Sequence, residues 1–411
     1  MFFKIAWRNV WVNKRRSILT LLLSILCVTF LIFVFSFHKG TYGKMFRDAI
    51  EVYTGYIQIT GQGYNDFPDQ DHLIFNVKKV EDVVKENADI EYFGTRFESF
   101  GLFSADMDSV GGIIIGIEPD KEPNISRMKK SIQEGRFLKE DDYGKALIGN
   151  KLAKKLQVGI GDTITYLSSA VDQSMAADIV EIVGIFYTSS EFDSAGMFVN
   201  KAYMDDIFYS YGSATHMIVY PKKKSDKNLD KVVMSLSEDL KGENLDVVTW
   251  KVPLKSLVSS LQLDFAFGLF SYSILVIVIF FVIMIFTMLA VLQRTKEIGV
   301  LRAIGNKPMH IFQMIAWEAL ILGVISAVVG AILGGALAYY FQVNPINMEG
   351  SREMMDQYNL SGMVDLNFPT LFSWITIMKV SLFMVGLNLL AVVYPVWKVN
   401  KYKPIEAINY V

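Results

Sequence analysis

Four stretches of this chain stay apolar for long enough to cross a bilayer: residues 18–38, 267–292, 319–341 and 371–396. A helix rising about 1.5 Å per residue needs about 20 such residues to cover about 30 Å of hydrocarbon. Lys379 alone interrupts them, in the first half of the fourth stretch. An ammonium at the bilayer centre is costly, so Lys379 is expected to snorkel to the outer interface or to face a polar cavity. Between residues 39 and 263 the period changes. The runs "TGYIQIT", "GGIIIGI", "GDTITYL", "DIVEIVGIFY" and "GMFVN" alternate or cluster β-formers between glycine and aspartate, while "KVEDVVKENA" and "NKLAKKLQ" have helical spacing. Ahead of the first stretch, Phe2, Phe3, Ile5, Ala6, Trp7 and Val10 are interleaved with cations, which suits a short helix lying in the inner interface.

The pattern predicts an α-helical membrane protein with four transmembrane helices and a large mixed α/β extracytoplasmic domain between helices 1 and 2. Its divisions are an interfacial helix (1–17), a first span (18–38), the outer domain (39–264) and a second span (265–293). A short cytoplasmic helix (294–310), a third span (311–341), an outer loop (342–368), a fourth span (369–397) and a cytoplasmic tail (398–411) complete it.

Composition agrees with a chain that is part membrane and part water: 411 residues, 52% hydrophobic, with a mean hydropathy of +0.32. Charge sets the expected orientation. Lys4, Arg8, Lys14, Arg15 and Arg16 precede the first span with no acid before Asp48, which puts the N-terminus in the cytoplasm. Four spans then return the 294–310 segment and the tail to the same side, and both are basic: Arg294, Lys296, Arg302 and Lys307 in one, Lys398, Lys401 and Lys403 in the other. The loop between the third and fourth spans carries Glu349, Glu353, Asp356 and Asp365 against Arg352. The first span begins like a signal peptide, but its run is long and "FVFSFHKG" has no small-x-small cleavage pattern, so it reads as an anchor.

Catalytic chemistry is sparse. Cys27 is the single cysteine, which excludes an intramolecular disulfide and a cysteine-rich metal site. His38, His72 and His216 are far apart and lack partners at ligand spacing, so satisfied or solvated histidines are expected, and no metal. Ser168, Ser169 and Ser189 lie in no nucleophile elbow. The basic run 222–224 is broken by Asp226 and, with a net charge of −2, gives no nucleic-acid footprint; it reads as a solvated loop.

The segment "QRTKEIGVLRAIGNKP" has more in it than a connection needs. On a helix Ile298, Leu301 and Ile304 share one arc and Thr295, Arg302 and Asn306 the other, with Glu297 inside the apolar arc. Gly299 and Gly305 imply a close approach by another surface, or a helix end before Pro308. Two readings follow, a helix docking into a protein groove and a helix resting on the inner interface. The spacing of its glycines fails the phosphate-loop pattern, so any ATPase must be a separate chain. In the third span Gly323, Ala327, Ala331 and Gly335 form one ridge of small residues, and Ser326, Gly330, Gly334 and Ala338 another; they suit static packing or a moving or dimer interface. The second span instead carries Phe265, Phe267, Phe270, Phe280, Phe281 and Phe286.

Together, "IAWRNVWVNKRRSILTLL", "QRTKEIGVLRAIGNKPMHIFQMIAWEALILG" and "AVVYPVWKVNKYKPIEAINYV" resemble the signature regions of FtsX-like, MacB-type ABC transporter permeases. The resemblance implies a non-catalytic subunit of the inner membrane, with ATP and Mg on a partner ATPase and no cofactor of its own. It also implies that Arg294, Glu297, Gly299, Arg302, Ala303 and Gly305 lie on or beside the coupling helix. "EGRFLKEDD", "ALIGNKLAKKLQVGIGDTITYL" and "VGIFYTSSEFDSAGMFVN" are similar to the lipoprotein-releasing (LolC/LolE) branch. That branch implies a second permease subunit, itself or a sister chain, a lipoprotein cargo taken from among membrane lipids, and a periplasmic carrier. Phe33, Phe35, Phe37, Phe265, Phe267 and Phe270 are then the expected acyl-chain contacts, and Gly323, Ala327, Gly330 and Gly334 the helix-packing positions. The place of a carrier-recruiting hairpin, "YLSSAVDQSMAAD", is short and has no proline or cation. An efflux or mechanotransmission permease, and a signal transducer regulating a cell-wall hydrolase, are the alternatives.

Overall fold

The computed structural model describes residues 2–12, 14–188, 190, 192–347 and 367–400. Ser189, most of the expected outer loop 342–368 and most of the tail 398–411 lie outside them. The described residues divide into two compact units, one made of those up to Lys44, Leu261–Asn347 and those from Asn367, the other of Met45–Ser260.

The first unit is helical. Four helices are long and apolar enough to cross a membrane: Lys14–Ala49, Lys255–Leu292, Pro308–Val343 and Trp374–Asn400. Each outruns its apolar stretch by several residues at one or both ends, although the fourth begins three residues inside its stretch. Hydropathy marks the lipid-soluble part of a helix, whereas hydrogen bonding continues until a breaker stops it. The third helix starts with Pro308 at its first position, where a missing N–H costs nothing. Cys27, Val28, Leu31 and Ile32 of the first helix pack with Ile279 and Ile283 of the second and with Ile377, Val380, Met384 and Leu387 of the fourth. The N-terminal helix Phe2–Val12 buries Ala6 and Val10 against Ile321 and leaves Trp7 and Trp11 exposed. At the far end of the second helix, Val291 joins Ile298, Ile311, Ile315, Val392 and Val396 in a separate apolar cluster.

The second unit is a mixed ten-stranded sheet with helices on it. Its strands are β1 (Ile57–Gly61), β2 (Ile90–Ala105), β3 (Asp108–Ile117), β4 (Ile132–Gly135) and β5 (Lys145–Gly149), then β6 (Thr163–Ser169), β7 (Met175–Phe186), β8 (Gly196–Asn200), β9 (His216–Pro221) and β10 (Leu245–Thr249). They run in the order β10-β1-β9-β2-β3-β8-β5-β7-β4, with β6 pairing β2 and β7. β2 organises the sheet: residues 90–96 pair with β9 and residues 97–105 with β3. Helix Val77–Glu86, capped by the Asn76 side chain, puts Val77, Val80 and Val84 into the core over β1 and β9. Helix Asp226–Asp239 adds Leu229, Val232 and Leu236 to the same core. A second core gathers Phe97, Phe103, Ile148, Ile164, Tyr166, Met197 and Tyr203 under β2, β5, β6 and β8.

Candidate functional site

The second spanning helix stops at Leu292, and two residues later the short helix Thr295–Ala303 begins. Thr295 satisfies its hydroxyl by donating to the Leu292 carbonyl at 2.7 Å, and is buried. Ile298 and Gly299 are buried on the same face. Lys296, Glu297, Val300, Ala303 and Ile304 are exposed on the other. This corrects the expected arcs at both ends: Thr295 faces in and Ile304 faces out. Ile304 lies past the last helical residue, and Gly305 turns the chain at φ +98°, so a uniform 100° step no longer applies there. Glu297, expected inside the apolar arc, is exposed.

Arg294, the N-cap of this helix, is turned inward and only 9% exposed. Its Nη1 donates to both carboxylate oxygens of Glu318, at 2.8 and 2.9 Å. Asn9 of the N-terminal helix donates through Nδ2 to Glu318 Oε1 at 2.8 Å. Arg294 Nε is buried without a hydrogen bond among the described residues, 3.6 Å from Glu297 Oε2. A cavity of about 70 Å³ opens beside this group, lined among others by Ser17, Thr20, Arg294, Glu297, Glu318 and Asn388. Sequence reasoning did not single out Glu318, Asn9 or Asn388. A carboxylate inside "MIAWEALILG" was the available signal, since such a group needs a partner.

The six phenylalanines expected to meet acyl chains are not brought together. Phe33 and Phe37 stack on each other at 6.2 Å, Phe33 meeting Phe341 and Phe37 meeting Phe368. Phe35 turns toward Tyr272 on the second helix, 5.4 Å between centroids. Phe265 lies 6.4 Å from the His38 ring, and Phe265, Phe267 and Phe270 are exposed. The small residues of the third helix meet neighbours within the chain. A Cβ at Gly330 would lie 2.6 Å from Val28 Cβ and one at Gly334 would lie 2.9 Å from Ile32 Cβ; one at Gly323 would sit 3.4 Å from Asn388 Cβ, and Ala327 is buried. Lys379 is exposed early in the fourth helix.

In the second unit, Arg96 is fully buried and forms a two-point ion pair with Glu122, while its Nη1 donates to the Tyr53 carbonyl at 2.7 Å. The Tyr53 and Tyr64 hydroxyls donate to Glu98. Burial, then the Glu98 charge, push both phenols well above their ordinary range. His216 sits beside Tyr53, its Nδ1 3.0 Å from Thr215 Oγ1 and its Nε2 buried without a hydrogen bond among the described residues. It is thus neither solvated nor fully satisfied, and burial lowers it to about 4. His72 pairs with Asp69 at 2.6 Å and His38 packs on Tyr42 and Tyr272. Among the described residues no group of three His, Cys, Asp or Glu is placed to hold a metal. Ser168 hydrogen-bonds Ser99 and the Phe100 carbonyl. The "YLSSAVDQSMAAD" segment forms the β6–β7 hairpin, closed by Ala170 N–H donating to Ser174 at 2.8 Å.

Comparison with known proteins gives two family matches, the FtsX-like permease C-terminal region over residues 269–404 and the MacB-like periplasmic core domain over residues 17–239. The chain is 23% identical over 378 residues to the lipoprotein-releasing system transmembrane protein LolC of Buchnera aphidicola subsp. Schizaphis graminum, covering 89% of this chain and 86% of the relative. It is 23% identical over 308 residues to LolE of Haemophilus influenzae, 72% of this chain and 71% of the relative. The crystal structure of the periplasmic region of MacB from Actinobacillus actinomycetemcomitans aligns with a TM-score of 0.38 and 13% identity, over 52% of this chain and 97% of that one.

Proposed function

The chain belongs to the FtsX-like permeases that carry a MacB-like periplasmic core domain, and from that premise we propose that it couples ATP hydrolysis on a separate chain to the extraction of lipoproteins from the inner membrane. As an ABC transporter permease of the LolC, LolE and MacB type, it acts with an ATPase subunit. That ATPase, holding ATP and Mg, docks from the cytoplasm on the exposed face of helix Thr295–Ala303. Both termini lie in the cytoplasm and the sheet unit in the periplasm, where it hands cargo to a carrier. A second permease, the same chain or a sister, completes the transport cavity. The exposed Phe265, Phe267 and Phe270 are offered to acyl chains, whereas Phe33, Phe35 and Phe37 are engaged inside the chain.

The observation that carries this reading is the likeness, over most of the chain, to lipoprotein-releasing transmembrane proteins. The test is purification of the full-length complex in mild detergent, with identification of what accompanies it. A nucleotide-binding chain and an acylated protein released by ATP from proteoliposomes are expected. Recovery of the ATPase with no acylated cargo, together with ATP-driven export of a peptide or drug probe, would instead support an efflux or mechanotransmission role, the second reading favoured by the MacB-like core.

A further inference from the structure

Arg294 and Glu318 are 24 residues apart in the chain, and Asn9 and Glu318 are 309 apart, yet their polar ends converge to within 2.9 Å. Three elements meet there: the turn that launches helix Thr295–Ala303, the third spanning helix and the N-terminal helix. A buried ion pair gives little net stability over well-packed apolar side chains, because desolvating both charges offsets their attraction. What it adds is direction. Guanidinium and carboxylate accept few relative orientations, whereas an apolar contact such as Ile298 against Ile311 and Ile315 tolerates sliding.

We infer that Arg294 is a positioning residue: paired with Glu318, which Asn9 braces, it latches the short helix to the third spanning helix and the N-terminal helix so that the three move together. Resting on the proposed coupling role, the latch divides labour within the segment. Lys296, Glu297, Val300, Ala303 and Ile304 face outward to receive the ATPase, and Arg294 faces inward to pass the displacement on. Without the pair the short helix still docks, but it tilts on its apolar bed and the stroke is lost.

The test measures distances in the full-length chain with Cys27→Ser and spin labels at the exposed positions Lys296 and Trp11, and measures ATPase recovery and coupling in the same variants without labels. In the otherwise unchanged chain the label distance should be narrowly distributed. The apolar double variant Arg294→Met with Glu318→Leu should keep its melting temperature and still co-purify with the ATPase. Its distance distribution should broaden at least twofold, and cargo released per ATP hydrolysed should fall at least tenfold. Asn9→Leu, which leaves both charges paired, should broaden the distribution less. Val300→Asp, on the outer face, should instead lose the ATPase with the distance unchanged. An unaltered distance and coupling ratio in the double variant would overturn the inference. So would loss of the ATPase from that variant, which makes Arg294 a docking residue, and so would its failure to fold, which makes the pair a stability element. If no ATPase accompanies the unchanged chain, the proposed function fails while the distances still judge the latch.

Discussion

His216 is the residue whose protonation the fold resists most plainly. Burial holds it near 4 against 6.5 for a solvated imidazole, with the Glu98 charge pulling it up and Arg96 pushing it down. The unfolded chain takes up a proton that the native state refuses, so the contribution is fully present above 6.5 and is lost as pH falls from 6.5 through about 4. A shift of that size corresponds to roughly 3 kcal/mol. Melting of the full-length protein in detergent should therefore drop over this window, and His216→Leu should flatten that drop; an identical slope in the variant would refute the assignment. On the short helix, Glu297→Ala and Arg302→Ala should leave the melting temperature unchanged while lowering ATP-driven activity roughly tenfold, about 1.4 kcal/mol. Unchanged activity in both would count against docking on this helix. Neither inward-facing role was legible in the sequence: Arg294 and His216 look like any arginine and histidine until packing supplies Glu318 and Tyr53 as neighbours.

At the scale of elements, the third spanning helix is where composition and packing can be compared directly. Its two ridges of small residues were visible as a four-residue repeat, but the repeat left static packing and a moving or dimer interface equally open. In the structure the Gly330 and Gly334 ridge faces Val28 and Ile32 of the first helix, and Gly323 faces Asn388 of the fourth. Gly330→Leu should force the first helix away and lower the melting temperature, by an overpacking penalty of about 1–3 kcal/mol. Gly386→Ala, in the fourth helix with nothing within 4 Å of its Cβ position, should be neutral or stabilising by up to about 1 kcal/mol. Thermal unfolding of both variants side by side checks the contrast. The short helix carries a similar lesson. Its existence and the burial of Ile298 followed from its spacing, but the ends of its buried face did not, because the helix ends at Ala303 and the turn at Gly305 places Ile304 outside.

For the whole molecule, the two-sidedness of the chain is the property on which the proposed function stands. In a Cys27→Ser chain, a cysteine at the exposed Asp172 of the β6–β7 turn should react with an impermeant maleimide from the periplasmic side. A cysteine at Lys296 should react only after the inner membrane is opened. Labelling of both from one side would end the account. The sequence by itself determined the number and order of spanning helices, the α/β character of the segment between the first two, and the family, because each is written in local hydropathy, local period or contiguous motifs. The tertiary structure alone decided that Arg294 turns to Glu318, that sixteen residues of β2 are shared between β9 and β3, and that the phenylalanines part into separate groups. Those outcomes depend on partners that are distant in the chain. A periodic pattern records which face of an element avoids water, but not which neighbour covers it.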